Sequence, residues 1–170
     1  DRIIRRNPDK EEYVCAAGIS PSGSIHIGNF RDIATSLFVL KALQKKGKNA
    51  KLLFSWDEFD RLRKVPVNVA AVRDDMEQYI GFPYSDVPNP FGDEPATYAE
   101  YFEAEFEESI KKFGIEMDYR YQTEMYRSGK YAEHIITALE KRGEIFDILD
   151  SFRTQDAQEG EREAYYPVSI

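Results

Sequence analysis

The residues best suited to chemistry lie in one short segment, residues 18–29, between a short apolar stretch and a long amphipathic one. Gly23 and Gly28 allow backbone to approach a ligand closely, because glycine has no side chain. His26 and Asn29 are three residues apart, so they share a face on the first turn of a helix, and each can present an N–H donor. The free N–H groups and the dipole of a helix start also favour an anion. The segment therefore predicts a phosphate-binding site built from backbone, an imidazole and an amide.

The pattern differs from the two commonest phosphate-binding motifs, the G-x-x-x-x-G-K-[ST] loop and the G-x-G-x-x-G turn. The alternative is that residues 20–24 form a plain turn and that His26 and Asn29 only cap the following helix. The context favours the site, since a buried strand precedes the turn, a long helix follows it, and a second strand ends in Trp56-Asp57.

The elements around this segment predict an α/β fold. Residues 13–19 and 52–56 are short apolar runs typical of buried parallel strands, and a third strand is expected at residues 118–123. The helix between the first two strands ends at Gly47, after apolar residues at helical spacing. We predict a Rossmann-like parallel sheet with flanking helices, in which ligands gather at the carboxyl ends of the strands.

Further helices are expected at residues 69–80 and 97–112, and a last one runs from Ser128 and breaks at Gly143. The acidic run at residues 100–108 is interpreted as the solvated face of the second of these helices. The buried stripe of that helix is expected to contain Phe102, Phe106, Ile110 and Phe113.

Composition places the chain among globular proteins, with 170 residues, 42% hydrophobic residues and 14% aromatic residues. It has neither an apolar run long enough to span a membrane nor a signal peptide, so a cytoplasmic protein without a membrane partner is expected. Cys15 is expected to be a buried thiol, and a single cysteine forms neither a disulfide nor a zinc site. The net charge of −8 argues mildly against a nucleic-acid-binding surface on this chain alone.

The two ends of the chain lack ordinary terminal features. Residue 1 is Asp1 rather than methionine and opens a predicted helix over residues 1–6, while residues 165–170 form a strand-like apolar run. We expect the chain to be an excised fragment of a longer protein.

Three segments carry a resemblance to a known family. Residues 21–29 resemble the first signature of class I aminoacyl-tRNA synthetases, most of whose members end its core tetrapeptide in His. The ending in Asn29, together with residues 18–23, resembles the class I lysyl-tRNA synthetases in particular. Residues 55–66 and 122–129 are similar to the same family. The resemblance covers nearly the whole chain.

The resemblance implies that lysine is activated with ATP and Mg²⁺ to lysyl-adenylate and then transferred to tRNA(Lys). By analogy, His26 and Asn29 are the catalytic residues, which bind and stabilise the ATP phosphates without acting as bases. Gly28 would leave room for the adenosine, and Gly23 would bring backbone close to the nucleotide. The expected ATP site consists of Pro21, Ser22, Gly23, His26, Gly28 and Asn29.

The same resemblance places the lysine site at the exits of the first two strands, with Gly18, Ser20, Asp57 and Asp60 as candidates. An ammonium group needs carboxylate or aromatic partners, which the two aspartates beside Trp56 could supply. An aspartate in a strand-to-loop turn often only caps local backbone, and this alternative stays open for both. No protein-bound metal is expected in this chain.

The chain lacks several segments that complete members of the family contain. Residues 1–143 are expected to be the first half of the ATP-binding catalytic domain and residues 144–170 the start of a connecting insertion. The chain lacks a Cys-x-x-Cys pair, so zinc is expected only in the missing insertion. It also lacks the Lys-Met-Ser-Lys-like second signature, so the chain alone is expected to activate lysine poorly or not at all. The alternatives are a class I synthetase for another amino acid, a related nucleotidyltransferase, and a non-catalytic nucleotide- or tRNA-binding module.

Overall fold

In a computed structural model of the chain, the structure describes residues 1–154 and 158–168. The chain divides into two compact units, Asp1–Thr123 and Glu124–Ile170. The assignment of residues 144–170 to a connecting insertion remains a prediction.

The first unit is built on a parallel sheet, as predicted. Strands β1 (Tyr13–Ile19), β2 (Ala50–Trp56) and β3 (Asp118–Tyr121) lie in the order β1-β2-β3. Gly18 is opposite Ser55, and Trp56 is opposite Tyr121, so the carboxyl ends of all three strands meet at one edge. This edge is where the fold places ligands.

The helices of this unit confirm most of the predicted boundaries. They are α1 (Arg2–Arg6), α2 (Ile27–Lys45), α3 (Val67–Ala70) and α4 (Tyr98–Lys112), and α5 (Gln122–Arg127) begins at the end of the unit. Thr97 and Glu100 form a capping box at the start of α4, which explains why that boundary could be predicted.

The predicted helix over residues 69–80 is wrong. Helix α3 ends at Ala70, and a separate 3₁₀ turn covers Met76–Tyr79. The Arg73 side chain donates to the Asp75 carboxylate at 2.7 Å and to the Asn89 carbonyl oxygen at 3.2 Å. Such side-chain hydrogen bonds hold the chain in a turn in place of a continuous helix.

The core lies on one face of the sheet. Alternate residues of β1 and β2 are buried there against α2 and α4, in the manner expected of strands whose side chains alternate. This cluster consists of Tyr13, Cys15, Ala17, Ile33, Leu40, Leu43, Leu52, Phe54, Trp56, Phe106 and Ile110. The prediction that Cys15 is buried is confirmed, and burial raises the pKa of its thiol.

Two expectations for α4 are wrong. Phe113 is 71% exposed, because the helix ends at Lys112 and the ring stacks instead on Phe30 with centroids 5.7 Å apart. Glu103 is buried, at 7% exposure, rather than solvated. The helix packs against a second cluster around Leu62 as well as against the sheet, so its buried face is wider than one stripe.

The second unit is helical. Its described helices are α6 (Ala132–Glu140), α7 (Arg142–Asp150) and α8 (Glu161–Ala164). The predicted break at Gly143 is displaced to Lys141, and Gly143 lies inside α7, where a side chain would come within 2.8 Å of the Arg162 guanidinium.

The predicted strand-like run at the end of the chain is not found in its described part, residues 165–168; Ser169 and Ile170 lie outside the described residues. Within the described part of the chain, no helix has the length and apolar character needed to cross a membrane.

Candidate functional site

The start of α2 is organised by His26 and Asn29. The His26 side chain is the N-cap, and its Nδ1 accepts a hydrogen bond from the Gly28 N–H at 3.1 Å. The Asn29 Oδ1 accepts from the His26 backbone N–H at 3.5 Å. Both residues therefore do cap the helix, as the plain-turn interpretation expected.

Capping nevertheless leaves the donor groups of both side chains available. Because Nδ1 of His26 accepts a hydrogen bond, the proton of the neutral ring is on Nε2. Because Oδ1 of Asn29 is turned toward the cap, its NH₂ group is turned away from it. No described residue accepts a hydrogen bond from either group. Two N–H donors are thus fixed at a helix start, where an anion is favoured.

Gly28 is needed for the position of the imidazole. A Cβ added at Gly28 would lie 2.9 Å from Cε1 and 3.0 Å from Nδ1 of His26, closer than such atoms pack. The added carbon would therefore displace the ring. The family resemblance implies a role for Gly28 toward adenosine, but within the described residues its close neighbour is the His26 ring.

Gly28→Ala is expected to impair the site more than the fold. Loss of the His26 cap costs about 1 kcal/mol, and the better helix propensity of alanine offsets up to about 1 kcal/mol. We expect the melting temperature to change by only a few degrees and any nucleotide-dependent activity of the complete protein to fall by at least about tenfold. Gly92→Ala, at a position with open space around it, is the matched control. Calorimetry and an activity assay on both variants make the test, and an unchanged activity of Gly28→Ala would contradict it.

A cleft of about 370 Å³ opens beside these donors. It places His26 and Asn29 together with Ser22 and Gly23 of the preceding turn, and Lys64, which carries a positive charge, also lines it. Pro21 and Gly28 do not line this cleft. Pro21 is buried, and the carbonyl oxygen of its neighbour Ser22 accepts a hydrogen bond from the Tyr98 hydroxyl at 3.0 Å.

A second cleft of about 290 Å³ adjoins the first, and the two share Ser20, Ser22, Lys64 and Pro66. The structure brings the predicted residues Ser20 and Asp60 together here, since the Ser20 hydroxyl donates to Asp60 Oδ2 at 2.7 Å. The remaining wall of this cleft consists of Arg61, Arg63 and Tyr84.

Gly18 and Asp57 also meet, at the exits of β1 and β2. A Cβ added at Gly18 would lie 3.0 Å from the Ser55 carbonyl oxygen and 3.7 Å from Asp57 Oδ2. Glycine at this position therefore allows the two strand ends to approach closely. The Asp57 N–H donates to the Ile19 carbonyl oxygen at 3.0 Å, which continues the ladder between the two strands.

The Asp57 carboxyl group is half-buried, and burial raises its pKa; the nearby Asp60 acts in the same direction. The Ser55 hydroxyl donates to Asp57 Oδ1 at 3.1 Å, which lowers the pKa. A half-buried carboxylate whose charge is disfavoured gains from a cation placed next to it.

Sequence reasoning missed Glu58, which is 3% exposed. Its carboxylate accepts from the backbone N–H groups of Gln122 at 3.0 Å and Thr123 at 2.7 Å, at the start of α5. These hydrogen bonds join residues 55–66 to residues 122–129, two of the three segments that carry the family resemblance. The local signal was an acidic residue two positions after an apolar strand, which does not show a partner more than sixty residues away.

Sequence reasoning also missed the contacts of two glutamates of α4, Glu103 and Glu107. Glu103 Oε1 is buried without a hydrogen-bond partner among the described residues. Burial, followed by repulsion from Glu58, Glu107 and Glu100, raises the pKa of Glu103 to about 8. Glu107, by contrast, accepts from the Trp56 indole N–H at 3.0 Å and from the Tyr121 hydroxyl at 2.9 Å.

A parallel sheet with a helix start that presents N–H donors at its carboxyl edge is an α/β fold whose ligands bind at that edge, where the helix start favours an anion. Residues 1–170 match the family model for class I tRNA synthetases (K), and the chain belongs to that family.

The chain is also similar to several curated proteins named lysine–tRNA ligase. The chain is 42% identical over 170 residues to a lysine–tRNA ligase of Pyrococcus horikoshii, and 44% identical over 170 residues to one of Thermococcus kodakarensis. Both alignments cover 100% of this chain and 32% of the relative. A lysine–tRNA ligase of Treponema pallidum is 41% identical over 169 residues, 99% of this chain and 31% of the relative. The chain thus spans about a third of the length of these relatives.

Proposed function

We propose that the protein containing this chain activates lysine with ATP to lysyl-adenylate and transfers the lysine to tRNA(Lys), and that this chain supplies the first half of its ATP site. The observation that carries the proposal is the pair of N–H donors, His26 Nε2 and Asn29 Nδ2, that remain available because helix capping uses only the acceptors of these side chains. Family membership and the names of the relatives support lysine as the amino acid.

Activation of an amino acid needs charge stabilisation more than proton transfer. A carboxylate oxygen of lysine attacks the α-phosphorus of ATP, a new O–P bond forms, and the bond to the β-phosphate oxygen breaks to release pyrophosphate. The carboxylate is already ionised at neutral pH, so no base is required. His26 and Asn29 would donate to phosphate oxygens as their charge is redistributed in the transition state.

The lysine would bind at the exits of β1 and β2. Asp57 is the stronger of the two aspartate candidates, because it is half-buried and its Oδ2 faces Gly18 without a hydrogen bond from any described residue. The exposed Asp60 already accepts from Ser20. We assign an ammonium group of lysine to Asp57, and backbone contacts of the substrate to Gly18 and Ser20.

Mg²⁺ belongs to the proposal as the companion of the ATP phosphates. Within residues 1–154 and 158–168, no three His, Cys, Asp or Glu side chains are placed to hold a metal ion. The cleft beside His26 instead offers N–H donors and the Lys64 ammonium, which fit phosphate oxygens. A role in tRNA charging also implies that tRNA(Lys) is a partner and that the protein works in the cytoplasm.

ATP–pyrophosphate exchange with each of the twenty amino acids tests the proposal, using the chain extended to the length of its relatives. Exchange that depends on lysine is the expected result. Exchange with another amino acid would keep the reaction and overturn the lysine assignment. A folded protein that binds ATP and exchanges with none would favour a non-catalytic nucleotide-binding module.

A further inference from the structure

The segment that begins at Gln122 has no role in the proposed function, although it too is similar to the family. The Gln122 amide Nε2 donates to Ser55 Oγ at 2.6 Å, and Ser55 Oγ in turn donates to Asp57 Oδ1 at 3.1 Å. Three side chains from two distant segments therefore form one line of hydrogen bonds. We refer to Gln122, Ser55 and Asp57 as the relay.

We propose that Gln122 is a positioning residue for the amino-acid substrate: through Ser55 it holds the Asp57 carboxylate in the orientation that receives an ammonium group. This inference rests on the proposed function, which assigns that ammonium group to Asp57. Gln122 itself need not touch the substrate.

The direction of the hydrogen bonds supports this role. A serine hydroxyl has one proton to donate and two lone pairs. Because the Gln122 amide occupies a lone pair of Ser55 Oγ, the hydroxyl proton is directed to Asp57 Oδ1. One carboxylate oxygen is thereby held, while Oδ2 lies on the side of Gly18. The relay thus leaves one oxygen of Asp57 for a ligand.

Gln122 is itself held at both ends. Its backbone N–H donates to the Glu58 carboxylate at 3.0 Å, and its side chain is bound to Ser55. A side chain fixed in this way loses little further freedom when it orients a neighbour, as a preorganised site requires. The simpler interpretation is that Gln122 only joins the ends of β2 and β3 and contributes to stability.

The two interpretations differ in their pH dependence. An ammonium group binds the ionised form of Asp57. Burial and repulsion from Asp60 raise the pKa of this carboxyl group, and the hydrogen bond from Ser55 lowers it. Weakening the relay weakens the hydrogen bond from Ser55 that lowers the pKa of Asp57, so this pKa rises further. The acid limb of the profile of kcat/KM for lysine must then move to higher pH.

The experiment uses Ser55→Ala and Gln122→Met in the protein extended to the length of its relatives, with pyrophosphate exchange measured from about pH 5 to pH 9. For each variant we expect KM for lysine to rise about five- to tenfold, the factor that one hydrogen bond of ordinary net strength contributes. KM for ATP should change by less than about twofold, because none of the relay residues lines the cleft beside His26 and Asn29. The acid limb should move upward in both variants.

Ser36→Ala is the matched control, since it also removes a serine hydroxyl bonded at short distance, 2.7 Å from the Ala16 carbonyl oxygen. It should leave KM for lysine and the acid limb unchanged. An unshifted acid limb in folded Ser55→Ala and Gln122→Met, or an equal rise in KM for lysine and ATP, would overturn the positioning role while the proposed function stands. Absence of lysine-dependent exchange in the unsubstituted protein would overturn both.

Discussion

Replacement of His26 by alanine is expected to lower kcat/KM for lysine-dependent pyrophosphate exchange about 100- to 1,000-fold, the usual effect of removing one fixed donor to a developing charge. The reason is that the ring proton is held on Nε2 by the hydrogen bond that Nδ1 accepts from Gly28. The donor is thereby in place before substrate arrives. Pyrophosphate exchange in the complete protein, with lysine and ATP varied separately, measures the effect.

His26→Ser separates the donor from the cap. Serine is among the best N-cap residues, so helix α2 should keep its stability within about 0.5 kcal/mol. The short hydroxyl cannot replace the distant Nε2–H group, and activity should fall as it does in His26→Ala. His134→Ala, at the exposed second histidine, controls for loss of an imidazole. Full activity in His26→Ser would mean that His26 matters only as a cap.

Glu103→Gln is expected to stabilise the fold increasingly as pH rises. Glu103 is 7% exposed and its pKa is raised from 4.5 to about 8 in the folded chain. Between these values the folded chain keeps the proton that the unfolded chain releases, so the free energy of unfolding falls as pH rises and levels off above about pH 8. The total loss is about 3 to 5 kcal/mol, since a tenfold change in proton affinity corresponds to about 1.4 kcal/mol. Glutamine has the same shape but does not ionise, so the free energy of unfolding of Glu103→Gln should not show this decrease.

Urea unfolding of both proteins from pH 5 to pH 9 measures the effect. The difference in unfolding free energy between Glu103→Gln and the unsubstituted chain should grow across this range and reach its plateau near the raised pKa. Glu105→Gln, at an exposed position on the same helix, should differ from the unsubstituted chain by no more than about 0.5 kcal/mol at every pH. If the unfolding free energies of Glu103→Gln and the unsubstituted chain instead ran parallel across this pH range, Glu103 would be ionised in the folded chain and its pKa would not be raised.

The local elements that position the site were predictable because their signals are local. The apolar runs of β1 and β2, the turn between Pro21 and Ser24, and the stripe of Ile33, Leu40 and Leu43 each lie within a few residues. The placement of the candidate residues at the carboxyl edge followed from the parallel sheet alone.

The parts that sequence reasoning missed depend on distant contacts. The Glu58 carboxylate accepts hydrogen bonds from the first two backbone N–H groups of helix α5. The sequence around Gln122 does not indicate this distant partner. Glu103 is buried because α4 packs against two clusters at once, whereas its sequence pattern shows one stripe. Gly143 lies inside α7, where the distant Arg162 guanidinium occupies the space of a side chain, a contact that the local sequence does not show.

Sequence reasoning proposed residues for the candidate site, but it did not predict which of them contact one another. The family resemblance placed Gly18, Ser20, Asp57 and Asp60 at the exits of the first two strands. The structure pairs Ser20 with Asp60 and brings Gly18 close to Asp57. The sequence also presented capping and phosphate binding as alternatives for His26 and Asn29. They are compatible, because capping uses acceptors and phosphate binding would use donors.

A crystal structure of the chain extended to the length of its relatives, bound to a non-hydrolysable lysyl-adenylate analogue, tests the central proposal most directly. We expect oxygens of the phosphate group, or of its replacement in the analogue, within about 2.7–3.2 Å of His26 Nε2 and Asn29 Nδ2. An ammonium group of the lysyl portion should lie against Asp57 Oδ2. An analogue bound elsewhere, with the donors of His26 and Asn29 facing solvent, would contradict the proposed site.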